Sequence, residues 1–307
     1  MDFRPEGCIF DTKENQYHIS SEKGIIEAIQ NKTDVEAKAV MCTSSHDLVV
    51  DLPFGKGIIP REEGAVGIAE GITRDIALIS RVNRIVRFKI LALKKNGDGH
   101  TIAILSRKAS QLDCISNYIS ELTSGDIIDA RVTHIEHFGA FVDIGCGIPS
   151  IIPIDSISVS RISHPSDRFY IGQDIKAVVK NVTDGRVFLS HKELLGTWEE
   201  NADKYAVGET VSGIVRSVED YGIFVELAPN LAGLAESKEG IAPGEKVSVY
   251  IKAIIPEKMK VKLIIVDSFS ELTDNQHAIN YFISSGKLTT WRYSPDGSNK
   301  KIITEFK

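Results

Sequence analysis

Two short segments each place aromatic residues three positions apart on either side of a glycine: FGAF (138–141) and YGIF (221–224). In a regular strand, residues three apart point to opposite faces. A β-bulge at the glycine would bring both rings to one side. Two exposed rings on one face would stack unpaired bases, at about 1–3 kcal/mol per base. The alternative is that the rings belong to the core, and their repetition at the same register favours the exposed arrangement.

A second candidate site is the segment SISVSRISHPSDRFYIG (156–172). It gathers Arg161, His164 and Arg168 beside two aromatic residues, Phe169 and Tyr170. Loops on a rigid scaffold often carry recognition. Arginine beside tyrosine suits contact with both the backbone and the bases of a single strand. The alternative is a loop that is ordered by its own packing.

Charge is unevenly distributed along a chain whose formal net charge is -6. Residues 34–108 hold 12 Lys/Arg and 9 Asp/Glu, whereas 124–192 hold 7 and 8, and 207–267 hold 7 and 9. A basic cluster in the first of these regions could contact phosphates, or be a solvated face balanced by neighbouring acids. Because no region is strongly basic, weak and salt-sensitive binding is expected. The cluster comprises Arg74, Arg81, Arg84, Arg87, Lys89, Lys94 and Lys95.

Catalytic and metal-binding patterns are not found. His134 and His137 have no third ligand in their neighbourhood, and FGKG (54–57) lacks the spacing of a phosphate-binding P-loop. The four cysteines form no CxxC pair. Asp143 and Glu226 are expected to face outward on strands and to serve solubility. The sequence therefore predicts a protein that is not an enzyme and needs no cofactor.

The elements that must position these residues form a repeat. Residues 125–144 align with 208–227 at a constant offset without a gap, and each copy ends in alternating runs that break at Asp184-Gly185 or Pro256-Glu257, as a hairpin would. A unit of 60–70 residues with short strands suits a small closed barrel. A weaker copy begins near residue 38, with His46 and Val49 at the aromatic positions.

The pattern Gly–x–x–Val … Phe-Gly-Ala-Phe-Val-Asp … Leu-Ser-x-Lys resembles the S1 RNA-binding domain, an OB-fold barrel. Over residues 34–267 the chain is similar to the bacterial ribosomal protein S1 family. The resemblance implies a mainly β fold of tandem five-stranded barrels joined by short helices. The expected segments are an N-terminal extension (1–33), a degenerate barrel (34–108), a linker helix (109–123), a barrel (124–192), a linker helix (193–206), a barrel (207–267) and a C-terminal helix with a β-hairpin (268–307, helix at 274–284).

In that family, RNA contacts two aromatics, a histidine after the third strand and an Asp/Arg pair near the last turn. The resemblance therefore assigns RNA contact to Phe138, Phe141, Asp184 and Arg186 in the second unit, and to Tyr221, Phe224 and Lys260 in the third. The histidine position holds Pro153 in the second unit and Glu236 in the third. The first unit has neither aromatic and carries Ile102 at the arginine position.

The sequence thus predicts an RNA-binding protein whose partner is single-stranded RNA, in particular messenger RNA during translation, with the 30S ribosomal subunit as a further partner. It contains neither a secretory signal nor an apolar run long enough for a bilayer, so a cytoplasmic protein without a membrane partner is expected. Two alternatives stay open: a scaffold that docks on the ribosome or another protein, and an RNA-processing enzyme or its accessory subunit.

Overall fold

The computed structural model describes residues 3–95, 101–269 and 279–307. Its fold is mainly β, with three closed five-stranded barrels, and the predicted fold class is confirmed. Two compact units divide the chain. One comprises Met1–Glu121 with Asp143–Pro149, and the other comprises Leu122–Val142 with Ser150–Lys307.

The first barrel closes around alternating apolar residues such as Val35, Val50 and Phe88, which are fully buried. Two helices precede it, α1 (Lys13–Ser20) and α2 (Glu22–Asn31), both within the predicted N-terminal extension. The strand order is β1-β2-β3-β5-β4. The strands are β1 (Asp34–Cys42), β2 (Leu48–Leu52), β3 (Gly55–Ile59), β4 (Ile85–Lys95) and β5 (Thr101–Ser106).

Short helical elements surround this barrel. A 3-10 helix (Arg61–Glu63) and α3 (Ile76–Ile79) lie between β3 and β4. The predicted linker helix is α4 (Arg107–Asn117), followed by a 3-10 helix (Ile119–Glu121). It begins after Ser106, whose Oγ accepts a hydrogen bond from the third residue of the helix and so satisfies one of its unpaired N–H groups.

The second barrel has the strand order β10-β8-β7-β6-β9, and the third has β11-β12-β13-β15-β14. 3-10 helices occupy Ile154–Ser156, Pro165–Asp167 and Pro256–Lys258. The second barrel consists of β6 (Ile127–Glu136), β7 (Gly139–Asp143), β8 (Pro149–Pro153), β9 (Asp174–Thr183) and β10 (Arg186–Ser190). The third consists of β11 (Thr210–Glu219), β12 (Gly222–Ala228), β13 (Leu231–Ala235), β14 (Lys246–Ile255) and β15 (Lys260–Phe269).

The linker predicted as one helix over 193–206 is two pieces, a 3-10 helix (Lys192–Leu195) and α5 (Trp198–Ala202). The break occurs at Gly196, whose φ of 82° is left-handed and ends the first piece. Thr197 then caps α5 in a capping box with Glu200.

The C-terminal prediction is half right. Of the helix predicted over 274–284, residues 274–278 lie outside the described part of the chain, and 279–284 are not helical. The hairpin is confirmed, since β16 (Thr290–Arg292) and β17 (Ile303–Glu305) pair antiparallel. No helix in the described ranges has the length and apolar character that a membrane span requires.

Within the second unit, the segment between β8 and β9 packs on the third barrel through backbone and amide hydrogen bonds. The Ser160 N–H donates to Pro229 O at 3.2 Å, and the Val159 N–H donates to Asn230 Oδ1 at 2.9 Å. Asn230 is fully buried, and its Nδ2 donates to the Lys192 and Gly196 carbonyls, both at 2.8 Å. These bonds use both N–H groups and the carbonyl oxygen of the side-chain amide, and they fix how the two barrels meet.

Candidate nucleic-acid interface

The rings of Phe138 and Phe141 stand together on the outside of the second barrel. Their centroids are 5.9 Å apart and their planes meet at 86°, an edge-to-face pair. Phe138 is 58% exposed and Phe141 is half-buried. An apolar surface that is open on one side and held by a ring neighbour on the other can accept the face of a base.

The rings meet because of a tight turn, and the predicted bulge at the glycine is wrong. β6 ends at Glu136 and β7 begins at Gly139, so Phe138 lies in the two-residue connection and escapes the alternation of the strand. Gly139 is needed for a different reason. A Cβ there would lie 2.6 Å from Ile152 O on the neighbouring strand, well inside van der Waals contact.

The third barrel repeats the arrangement. Tyr221 is 70% exposed, and its ring lies 6.1 Å from that of Phe224 at 86°. Glu219 pairs with Gly222 across a two-residue turn. A Cβ on Gly222 would lie 2.5 Å from Ala235 O. The same turn, glycine and ring pair therefore recur at equivalent positions.

The polar candidates of the second barrel lie at its last hairpin. Asp184 and Gly185 have φ of 51° and 70°, and Thr183 pairs with Arg186 on either side of them. Two consecutive left-handed residues form the preferred two-residue hairpin turn, so the predicted turn is confirmed. Both Asp184 and Arg186 are exposed, and Arg186 forms no ion pair within the described ranges.

In the third barrel the corresponding positions carry different chemistry. Lys260 is exposed at the start of β15. Glu236, at the family's histidine position, is highly exposed and lies 3.3 Å from Lys252 Nζ. The carboxylate of Glu236 repels phosphate and neutralises Lys252. The electrostatics of this surface therefore favour a phosphate less than those of the second barrel do.

The segment 156–172 divides into an open half and a buried half. Arg161 is exposed, and the His164 ring lies 4.7 Å from that of His137, next to the Phe138 turn. Arg168 and Phe169 are buried, at 9% and 1% exposure. The prediction of Arg168 as an accessible RNA contact is therefore wrong.

The cause is an ion-pair network between the second and third barrels. Arg168 Nη2 donates a hydrogen bond to Glu226 Oε2. Arg216 donates to both oxygens of the same carboxylate, at 2.9 and 3.2 Å. Asp167 Oδ1 lies 3.6 Å from Arg216 Nη1. Glu226 is thus a buried acceptor for two guanidinium groups, and its predicted outward position is wrong.

Asp143 is also buried, at 3% exposure, where an outward position was expected. Its carboxylate accepts hydrogen bonds from the backbone N–H groups of Glu6, Gly145 and Gly147, at 2.7, 2.8 and 3.0 Å. Burial raises the pKa of Asp143 to about 6. The acid shapes the β7–β8 connection and takes no part in the outer surface.

The basic cluster of the first unit is largely engaged inside that unit. Arg87 and Lys89 are buried and lie 3.2 and 3.1 Å from the carboxylate of Asp34. Arg81 lies 3.4 Å from Glu6 Oε2. The prediction that the whole cluster could contact phosphates is therefore wrong, because buried cations require partners. The exposed members are Arg74, Arg84, Lys94 and Lys95.

Metal binding finds no support in the geometry. Within 3–95, 101–269 and 279–307, no group of three or more His, Cys, Asp or Glu side chains is arranged to hold an ion. His134 Nε2 lies 2.6 Å from Glu136 Oε1 instead.

His191 gives a pH prediction for the second unit. It is fully enclosed, with Nδ1 2.9 Å from Ile157 O, Nε2 3.2 Å from the Tyr281 hydroxyl and an edge contact with Phe169. Burial lowers the pKa of His191 to about 4. The unfolded chain protonates His191 near pH 6.5, whereas the folded unit keeps it neutral down to about pH 4. The contribution of His191 to the free energy of unfolding is therefore fully present above pH 6.5 and is lost as the pH drops toward 4. Urea unfolding at about pH 7 and pH 5 should show this loss.

His191→Gln should flatten that pH dependence, whereas His137→Gln, a change at an exposed histidine, should leave it intact. An equal loss of stability in wild type and H191Q would contradict the assignment.

One residue of this surface was missed by the sequence analysis. Phe188 on β10 is 37% exposed and is the Cα partner of Ile151 on β8, which lies between β7 and β10. It follows Arg186 by two residues, so both side chains leave the same face of the strand. That alternation is the signal in the sequence that could have found it.

Residues 121–192 match the family model of the S1 RNA binding domain. The chain carries an S1 RNA-binding domain. The match begins before β6 and ends after β10, so the S1 domain is the second barrel with its aromatic turn. The third barrel repeats its sequence pattern, and the first repeats its strand pairing without the rings.

Curated relatives include the small ribosomal subunit protein bS1 of Staphylococcus aureus strain COL. It is 29% identical over 181 residues, covering 57% of this chain and 43% of the relative. The protein of that name from Leuconostoc lactis is 28% identical, covering 55% and 38%. The chain thus spans less than half the length of these relatives.

Among solved structures, a multidomain protein with nucleic acid binding domains from Streptococcus pneumoniae TIGR4 has a TM-score of 0.25. It is 14% identical, over 79% of this chain and 76% of that chain. GSP13 from Bacillus subtilis has a TM-score of 0.22 at 19% identity, over 23% of this chain and 55% of that chain.

Proposed function

We propose that the protein holds single-stranded RNA on the outer face of its S1 domain, and that this RNA is messenger RNA close to the 30S subunit in the cytoplasm. The observation that supports this most directly is the ring pair of Phe138 and Phe141, which is exposed at the β6–β7 turn of a barrel that also carries the exposed Arg186 on β10. Stacking uses the face of any base, so binding tolerates sequence variation. The names of the bS1 relatives support the link to translation.

The charge of the surface limits the affinity. The exposed cations of the second barrel are Arg161, Lys180 and Arg186, since its other arginines lie in ion pairs. About three phosphate contacts give a slope of log affinity on log salt of roughly -2 for a single strand. Binding is then weak and governed mainly by stacking.

Titration of a fluorescent single-stranded octamer and of its duplex tests this function. The single strand should bind more tightly than the duplex, because only unpaired bases can leave the stack and cover the rings. Measured between about 50 and 200 mM salt, its affinity should follow the shallow slope above. Equal binding of duplex and single strand, or a slope several times steeper, would contradict stacking as the main contribution.

The first unit favours a second role, a protein-docking module. His46 and Val49 replace the rings, and Arg81, Arg87 and Lys89 are held by internal acids. Recovery of ribosomal proteins on the immobilised protein after nuclease treatment, together with no affinity for free RNA, would favour docking over RNA binding.

A further inference from the structure

The outward row of side chains across three neighbouring strands differs among the barrels. In the third barrel Phe224 pairs with Leu234, and Leu234 with Lys262. The constant offset of the repeat and the printed pairs of the other barrels give the equivalent rows. They are Val49, Ile58 and Ile104 in the first barrel, Phe141, Ile151 and Phe188 in the second, and Phe224, Leu234 and Lys262 in the third.

The second barrel therefore carries an aromatic residue at both ends of its row. Phe141 and Phe188 lie on strands that flank β8, so their backbones are roughly 10 Å apart at about 4.8 Å per strand. That separation is too large for the two rings to share one base. The ring of Phe188 has no aromatic neighbour within stacking distance in the described ranges, yet it is 37% exposed in the middle of a barrel face.

A cation accompanies the ring. Arg186 lies two residues before Phe188 on β10, roughly 7 Å along the strand on the same face. A guanidinium at that distance suits the phosphate next to a base that stacks on Phe188. Ile151 on β8 lies between the two aromatic positions and is half-buried.

We propose that Phe188 is a further stacking position, which takes a base beyond those on Phe138 and Phe141 and sets the direction in which the strand crosses the barrel. This inference rests on the proposed function of the S1 domain. The equivalent residue is Ile104 in the first barrel and Lys262 in the third. Of the three barrels, the second is therefore the one with an aromatic ring at both ends of the row.

Phe188→Ile is the sharpest test, since it places the first barrel's residue at this position. Isoleucine keeps apolar character and strand preference but removes the ring. We expect about tenfold weaker binding of a single-stranded octamer, corresponding to one lost stacking contact. Tyr250→Ala is the matched control, because Tyr250 is also an aromatic with 37% exposure but lies on β14, away from either ring pair. Its affinity should equal that of wild type.

Photo-crosslinking gives a second readout that does not depend on affinity. An octamer containing 4-thiouridine should crosslink to the β10 peptide, and mass spectrometry locates the site. Wild-type affinity in F188I together with crosslinks confined to the Phe138–Phe141 turn would overturn the inference while leaving the proposed function intact. If F188I and a variant with both Phe138→Ala and Phe141→Ala each kept wild-type affinity and wild-type crosslinks, the inference and the proposed function would both be overturned.

Discussion

Replacing Phe138 and Phe141 together by alanine should weaken the binding of single-stranded RNA by roughly 30-fold or more. Each ring contributes about 1 kcal/mol or more to the stacking of one base, and the two contributions add when each ring holds its own base. Both side chains lie on the outside of the barrel, so the variant should fold. Fluorescence anisotropy with a labelled octamer measures the change, and circular dichroism checks the fold.

The third barrel provides the comparison. Tyr221→Ala with Phe224→Ala removes the same ring geometry but should cost less binding, because Glu236 stands at the edge of that surface. Tyr250→Ala with Phe269→Ala removes two exposed aromatics outside both turns and should cost nothing. An unchanged affinity in the folded Phe138/Phe141 double variant would remove the proposed stacking surface.

Glu226→Ala should destabilise the second unit by about 3–5 kcal/mol. The carboxylate accepts hydrogen bonds from Arg168 and Arg216, whose side chains are 7% and 11% exposed. Removing it leaves two guanidinium groups close together without their common partner, and neither can lose its charge. Equilibrium unfolding in urea measures the loss.

Glu219→Ala, at an exposed position on β11, is the matched control and should change the free energy of unfolding by less than about 0.5 kcal/mol. A similarly small change in E226A would mean that the ion pairs add nothing to the contact between the barrels.

The barrels and the ring pairs could be predicted because both depend on local patterns. Alternation of apolar residues predicts a strand, and the repeat of FGAF as YGIF indicated that the rings occupy equivalent positions in the two units. The turn that brings the rings together was predicted as a bulge, because the sequence pattern does not indicate that β6 ends at Glu136. Phe188 was missed because its position next to Ile151 depends on the parallel pairing of β10 with β8, two strands that are distant in the chain.

The charged residues were the hardest to place. Arginine and glutamate are usually surface residues, and the sequence gives no sign that Arg168, Arg87 and Glu226 are buried. Only the packing of one segment on another shows that each of them lies against an opposite charge. Gly196 likewise looks compatible with a short helix until its left-handed φ is seen. Periodicity reports which face of an element is apolar, and it does not report which polar residue meets a partner from another element.

The contact that Asn230 and Glu226 make with segment 157–169 has a consequence for dividing the chain between these two barrels. A fragment cut at residue 192, where the matched domain ends, keeps Arg168, Val159 and Ser160 but loses Glu226, Asn230 and Pro229, the partners they have in the third barrel. The stability of the second barrel therefore depends on the third, and a fragment cut between them should unfold at a lower urea concentration than the two barrels together.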